Sequence, residues 1–270
     1  MQIAIATGSA AQVADVPAIS RLDFGYNYTG FRGLDRFDSQ LDPSTVGLIT
    51  WPGGYLAEFS PGKYGLEYDG LWNGSDAAGN LPELLALAKE HGAGLSIVLP
   101  TLRYQGHLDQ MRADVTGFMT DLLGGKYGPL PDHLILEVGS EFYATFSGGA
   151  TAAAQAYGGI ADAMVNTLQT CLSDPAVNLL GADLDIAVQA GRNLGEDEVL
   201  RDQLSDASLR SIDMVIHHRF SLTATGVDRS ADNLEAVLDG WEEDAKAAGG
   251  HRPNCSWAPI MSAPIPGPRP

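Results

Sequence analysis

At 270 residues, 44% hydrophobic and 19% charged, the chain is long enough for one α/β barrel or two small domains and has an ordinary globular composition. Its net charge of -18, from 34 acidic against 16 basic residues, excludes a phosphate-binding surface, so nucleic acid is not an expected partner. Two cysteines, Cys171 and Cys255, exclude a disulfide framework, and no apolar run reaches membrane-spanning length, so no membrane partner is expected either.

The first residues, M-Q-I-A-I-A-T-G-S-A-A, lack the basic region and long apolar core of a signal peptide, and the expectation is a soluble protein of unknown compartment. Residues 22–27 form a first short strand ending in Gly25, Tyr26 and Asn27, and residues 46–51 (V-G-L-I-T-W) a second, stopped by Pro52-Gly53-Gly54. Pro82 opens a helix through Ala88, with Leu84, Leu85, Leu87 and Ala88 apolar, ended by Gly92 and Gly94. Residues 95–99 (L-S-I-V-L) form a third strand, stopped by Pro100. A helix over 107–123 carries Leu108, Met111, Val115, Phe118, Met119 and Leu122 at helical spacing.

Residues 134–142, L-I-L-E-V-G-S-E-F, are the most informative segment. A short apolar run ends in two carboxylates, Glu137 and Glu141, with Gly139 between them to turn the chain. A carboxyl at the carboxyl end of a buried parallel strand is where α/β enzymes place their chemistry. An Ala-rich helix follows over 150–172, then a fifth strand over 184–188 and a short helix over 196–204. A sixth strand over 212–216 runs into His217-His218, and a long helix over 231–248 carries Leu234, Val237, Leu238 and Trp241 on one face.

Strands apolar on both faces, alternating with helices, predict a parallel sheet of α/β class. Six units at this spacing point to a (β/α) TIM-type barrel over an open doubly wound sheet, since no glycine-rich phosphate loop follows the first strand. Strand ends at Asn27, Trp51, Pro100, Glu141, Gln189 and His217 then gather round one mouth. The barrel domain spans 1–250. Residues 251–270 read as an irregular tail with prolines at 253, 259, 264, 266, 268 and 270, and the barrel as incomplete after the sixth unit. An unclosed parallel sheet leaves an open edge through which the chain can self-associate.

Several of these segments together resemble one family. Glu-Val-Gly-Ser-Glu (137–141) is similar to the E-[IV]-G-N-E that closes the fourth strand in retaining glycoside hydrolases of the (β/α)-barrel clan A. Thr50-Trp51-Pro52-Gly53-Gly54 with Ala57-Glu58 resembles the R-[FY]-P-G-G…A-E stretch of its arabinofuranosidase- and glucuronidase-like members. Phe24-Gly25-Tyr26-Asn27 resembles their F-G-x-N, and His217-His218 falls where they often carry His or Tyr. The resemblance covers about residues 20–250.

It implies hydrolysis of a glycosidic bond in a small-molecule or oligosaccharide substrate, with Glu141 as acid/base and no cofactor. A retaining enzyme pairs its acid/base with a carboxylate nucleophile about 5 Å away. His217 is the second catalytic candidate, and Asn27, Trp51, Ser140, Tyr143, Arg103 and His218 are candidate substrate contacts; Tyr55 and Trp72 are further possible sugar platforms. Two positions depart from the family pattern: Ser140 replaces its Asn, and residues 251–270, where the nucleophile belongs, contain no Asp or Glu. Glu137, within the strand, reads as structural or as a partner to the site.

Two other readings stand beside this one. Glu141, Asp23 and one of the histidines can hold a cation or activate water for hydrolysis of a small ester or lactone. No H-E-x-x-H or comparable spacing supports a specific metal, so none is assigned. The third reading is a non-catalytic carbohydrate-binding barrel. His217 and His218 are adjacent on a strand, so at most one faces the mouth.

Overall fold

The apolar runs identified in the sequence pair into one parallel sheet. The structure is a computed structural model that describes residues 25–29, 33–42, 46–59, 62, 64, 79–218, 224–251 and 253–256. Within them lie β1 (Gly25–Asn27), β2 (Leu48–Trp51), β3 (Gly94–Leu99), β4 (Leu134–Val138), β5 (Asp185–Gln189), β6 (Met214–Ile216) and β7 (Asn254–Ser256). Their order across the sheet is their order in the chain, and every neighbouring pair is parallel. A doubly wound sheet reverses its strand order part-way; this one does not.

The sheet is curled into a half-barrel. Leu48, Ile135, Ala187 and Ile216, from β2, β4, β5 and β6, form a small cluster of their own with Met214 packed against it. Flat strands lie about 4.8 Å apart, so a cluster that passes over β3 requires curvature that brings inward side chains together. The opposite face meets the helices in the main core, which holds Trp51, Phe118, Phe142, Tyr157 and Trp241. β3 and β4 are buried along their whole length, which is why they read as continuous apolar runs rather than alternating ones.

The helices are α1 (Leu34–Asp38), α2 (Leu81–His91), α3 (Leu108–Leu123), α4 (Phe142–Thr145), α5 (Ala150–Ser173), α6 (Leu194–Arg201), α7 (Asp206–Ser211) and α8 (Ala224–Ala247). α2 shows how local chemistry sets an element. Asn80 accepts a hydrogen bond from the Glu83 N–H while the Glu83 carboxylate takes the Asn80 N–H, Pro82 sits in the first turn, and Gly92 closes the helix in the left-handed region. α5 approaches α6 closely because Gly158 has no side chain; a Cβ there lies 2.8 Å from both Gln203 Cβ and Leu200 O. None of the helices in the described residues is long and apolar enough to cross a membrane.

The sheet extends further than the sequence reading places it. Residues 254–256 (N-C-S) form a three-residue seventh strand against β6. They fall between Pro253 and Pro259 and none of them is proline, so each keeps the N–H donor a ladder needs. The segment read as one helix over 196–204 ends earlier, at Arg201, and Ser205 caps a separate α7 by accepting from the Ser208 N–H. Residues 22–24 and 257–270, with Asp23, Phe24 and Trp72, lie outside the described residues, as do the side chains of Tyr55 and Cys255.

Candidate active site

Parallel pairing puts every strand's carboxyl end on one edge, and hydrogen bonds tie these ends together. Glu58, in a short 3-10 helix after β2, sends its carboxylate across to β3 and β4. Its Oε2 accepts from the N–H groups of Thr101 at 2.6 Å and Leu102 at 2.7 Å. Its Oε1 accepts from the Thr101 hydroxyl at 2.9 Å and the Ser140 N–H at 2.9 Å. Gly139 makes room for this: its φ is +70°, and a Cβ there lies 3.0 Å from Glu58 Oε1 and 2.8 Å from Thr101 Oγ1. Burial pushes the Glu58 carboxyl up, against the opposing pull of these hydrogen bonds.

β4, β5 and β6 are joined similarly. Gln189, the last residue of β5, accepts from the Glu141 N–H at 3.3 Å and donates to the Ile216 carbonyl at 2.8 Å. The Tyr157 hydroxyl donates to the Val138 carbonyl at 2.5 Å and accepts from the Gln189 N–H at 2.9 Å. Glu141 is thereby held at φ 47°, ψ 47°, in the left-handed region that a residue with a Cβ rarely occupies. Its Oε1 lies 3.2 Å from Nδ1 of His218, with side-chain exposures of 14% and 5% respectively. This links the carboxyl ends of β4 and β6 across the inward face.

Beneath them, Glu137 faces inward from β4 and is 3% exposed. Ser96 Oγ donates to its Oε2 at 3.2 Å. Burial pushes its carboxyl up to about 7; the His218 charge and the Ser96 hydrogen bond pull down, while Glu58 and Glu141 add to the rise. Among the described residues no group of three or more His, Cys, Asp or Glu side chains is placed to hold a metal ion.

The other candidates fall in different places. Asn27 stands at the same edge, its side chain against Gly53, where a Cβ would lie 3.1 Å from Asn27 Cβ. Tyr143 is partly buried next to the site, with the Arg192 guanidinium 4.9 Å from its ring centroid. Arg192 in turn is bonded to Glu196, Nη2 to Oε1, at 2.7 Å. Ser140 is buried, its N–H given to Glu58, and its hydroxyl makes no hydrogen bond among the described residues. Arg103 is exposed after β3 and donates to the Gly62 carbonyl at 3.3 Å.

Two expectations change. Trp51 is fully buried in the main core, so it offers no face to a sugar. Side chains alternate along β2, Leu48 takes the inward side, and Trp51 falls on the helix side with Ile49, beside Ile97 on β3. The imidazole against Glu141 belongs to His218, cast as a substrate contact, while His217, cast as catalytic, is buried at 2% exposure. Reading from sequence also gave no role to Gln189 or to the Glu58 carboxylate; a polar residue closing an apolar strand, and the Glu of the P-G-G…A-E stretch, were the signals available.

No family model matches the chain, and no curated protein matches it in sequence.

Proposed function

We propose that this is a glycoside hydrolase-like protein built on a TIM-type barrel that is incomplete, with Glu141 transferring the proton at the glycosidic oxygen. The observation that carries the reading is the Glu141–His218 pair at the carboxyl mouth of the sheet. A non-glycine residue in the left-handed region costs on the order of 1–2 kcal/mol, and such strain persists where surrounding contacts fix it, as they do at reactive centres. Here the Gln189 hydrogen bond and the His218 contact fix it. The imidazole holds the carboxylate in one orientation, and partial exposure leaves Glu141 reachable by a substrate. Asn27, Tyr143 and Arg103 stand on the same edge as candidate contacts.

The same geometry favours a second reading. A retaining glycosidase needs an accessible second carboxylate, yet Glu58 and Glu137 are buried at 4% and 3% exposure and already hydrogen-bonded. A single Glu–His pair suffices to activate water against a small ester or lactone. Both readings are tested by incubating the purified protein with chromogenic aryl arabinofuranosides, aryl glucuronides and small lactones. Release of the aryl alcohol with retained anomeric configuration supports the first. Lactone opening alone supports the second, and saturable sugar binding without turnover supports a carbohydrate-binding barrel instead.

A further inference from the structure

The turn that carries Glu141 is pinned before and after that residue. Before it, the Ser140 N–H is given to Glu58. After it, the buried Phe142 ring stacks on Tyr157, with centroids 4.6 Å apart and planes 7° apart. The next residue, Tyr143, is only partly buried and meets the Arg192 guanidinium 4.9 Å from its ring centroid. Arg192 comes from the loop after β5, three residues beyond the Gln189 that accepts the Glu141 N–H. That loop is itself fastened to α6. Glu196 Oε2 accepts from the Arg192 N–H at 3.2 Å and from its Nε at 3.1 Å, while Oε1 accepts from Nη2 at 2.7 Å. Asp197, fully buried, accepts from the Gly191 N–H at 3.0 Å and from the Trp241 indole at 3.1 Å. The fork fixes the plane of the guanidinium over the ring, which a lysine ammonium could not reproduce.

We propose that Arg192, clamped by Glu196 and stacked on Tyr143, holds the Glu141 turn in its left-handed conformation and is a positioning residue for the proton transfer. A non-glycine residue at φ 47° gains by relaxing to the right-handed region, and that rotation would swing the residues after it out of place. Phe142 resists the rotation from the core. Arg192, its side chain 47% exposed, resists it from the solvent side. The part in proton transfer rests on the reading of Glu141 as the acid/base, but the hold on the turn can be measured without any substrate.

Hydrogen exchange at the Glu141 amide, followed by NMR, reads that hold directly. The Leu95 amide in β3, bonded to the His133 carbonyl at 3.0 Å, serves as the reference for the whole fold. Arg192→Leu and Tyr143→Leu should each speed exchange at Glu141 by about twofold to fivefold, the factor an exposed cation–π contact is worth, and leave Leu95 unmoved. The double variant should be no faster than either single one, because both changes break the same contact. Tyr143→Phe keeps the ring and should exchange like the wild-type chain. Either single variant suffices if the other fails to fold. Unchanged exchange at Glu141, additive effects, or an equal rise at Leu95 overturns the proposal. On any substrate that is turned over, Arg192→Leu should lower kcat about twofold to fivefold with KM unchanged; a raised KM at full kcat would make Arg192 a substrate contact instead and overturn the proposal. A blank substrate panel with the exchange differences present would remove the hydrolase reading and leave the hold of Arg192 on the turn in place.

Discussion

The carboxylate of Glu58 holds the backbone N–H of Ser140 at 2.9 Å, across 82 positions of sequence. This one contact ties the loop after β2 to the turn that presents Glu141. With the bonds to Thr101 and Leu102 it makes Glu58 the common anchor of three strand ends. The orientation of Glu141 is therefore set by a residue with no role in proton transfer.

Replacing Glu58 with Gln keeps the shape and removes one acceptor. The amide nitrogen best takes the Oε1 position, because the Thr101 hydroxyl there can turn to accept while a backbone N–H cannot. Ser140 N–H then faces a donor. Leaving one buried donor unpaired costs about 1–3 kcal/mol. Urea denaturation should show a loss of that size in Glu58→Gln and a larger one in Glu58→Ala; unchanged midpoints would mean the anchor is dispensable.

Gly139→Ala should be more damaging than its size suggests. The position has φ +70°, and the added methyl would lie 2.8 Å from both Thr101 Oγ1 and the Tyr157 ring. Left-handed strain and overpacking together amount to about 2–4 kcal/mol. Thermal unfolding should show the loss, whereas Gly159→Ala, in α5 with nothing near its Cβ, should be neutral or slightly stabilising.

Much of the fold was legible because its determinants are local. The Asn80–Glu83 cap, Pro82 and Gly92 bracket α2 within a dozen residues, and the apolar runs of β3 and β4 announce burial on both faces. The side on which a strand-end residue falls was not legible. Trp51 and Leu48 differ only in parity along β2, as do His217 and His218 after β6, and parity is fixed by register with neighbouring strands. A period of two says that one histidine faces inward; it does not say which. The work of Glu58 was hidden for a related reason, since its partners lie 43 or more positions away. α7 was missed because Ser205 looks like part of a loop until its side chain is seen capping the Ser208 N–H.

Glu137 should also leave a mark on stability. Its folded value, about 7, lies above the ordinary carboxyl value of 4.5. Between those two values the unfolded chain loses the proton while the folded chain keeps it, so the folded state binds more protons and its stability falls as pH rises. Below 4.5 the penalty is absent, and above 7 it is complete, on the order of 3 kcal/mol. Glu137→Gln removes this contribution. Chemical denaturation at pH 4 and pH 8 should show the variant gaining on the wild-type chain at the higher pH; a constant difference would mean Glu137 titrates like an exposed carboxyl.

His218→Gln should lower hydrolysis by about tenfold to a hundredfold, less than loss of the Glu141 carboxyl, because the imidazole orients the carboxylate without itself reaching the substrate oxygen. His217→Gln, the neighbouring change, should act on stability alone. Equal catalytic losses in the two variants would place the wrong imidazole beside the reaction.

The most direct measurement compares hydrolysis by the wild-type chain and Glu141→Gln on the best aryl glycoside or lactone, with circular dichroism matched between the two. Glutamine preserves the size and the left-handed backbone position while removing the transferable proton. General acid–base help is worth about 10² to 10⁴ in rate, so the variant should lose that factor at the pH where the wild-type chain is most active. Equal rates in the two proteins would mean that Glu141 is a strained but idle carboxylate, and that the chemistry at this mouth, if any, belongs to another group.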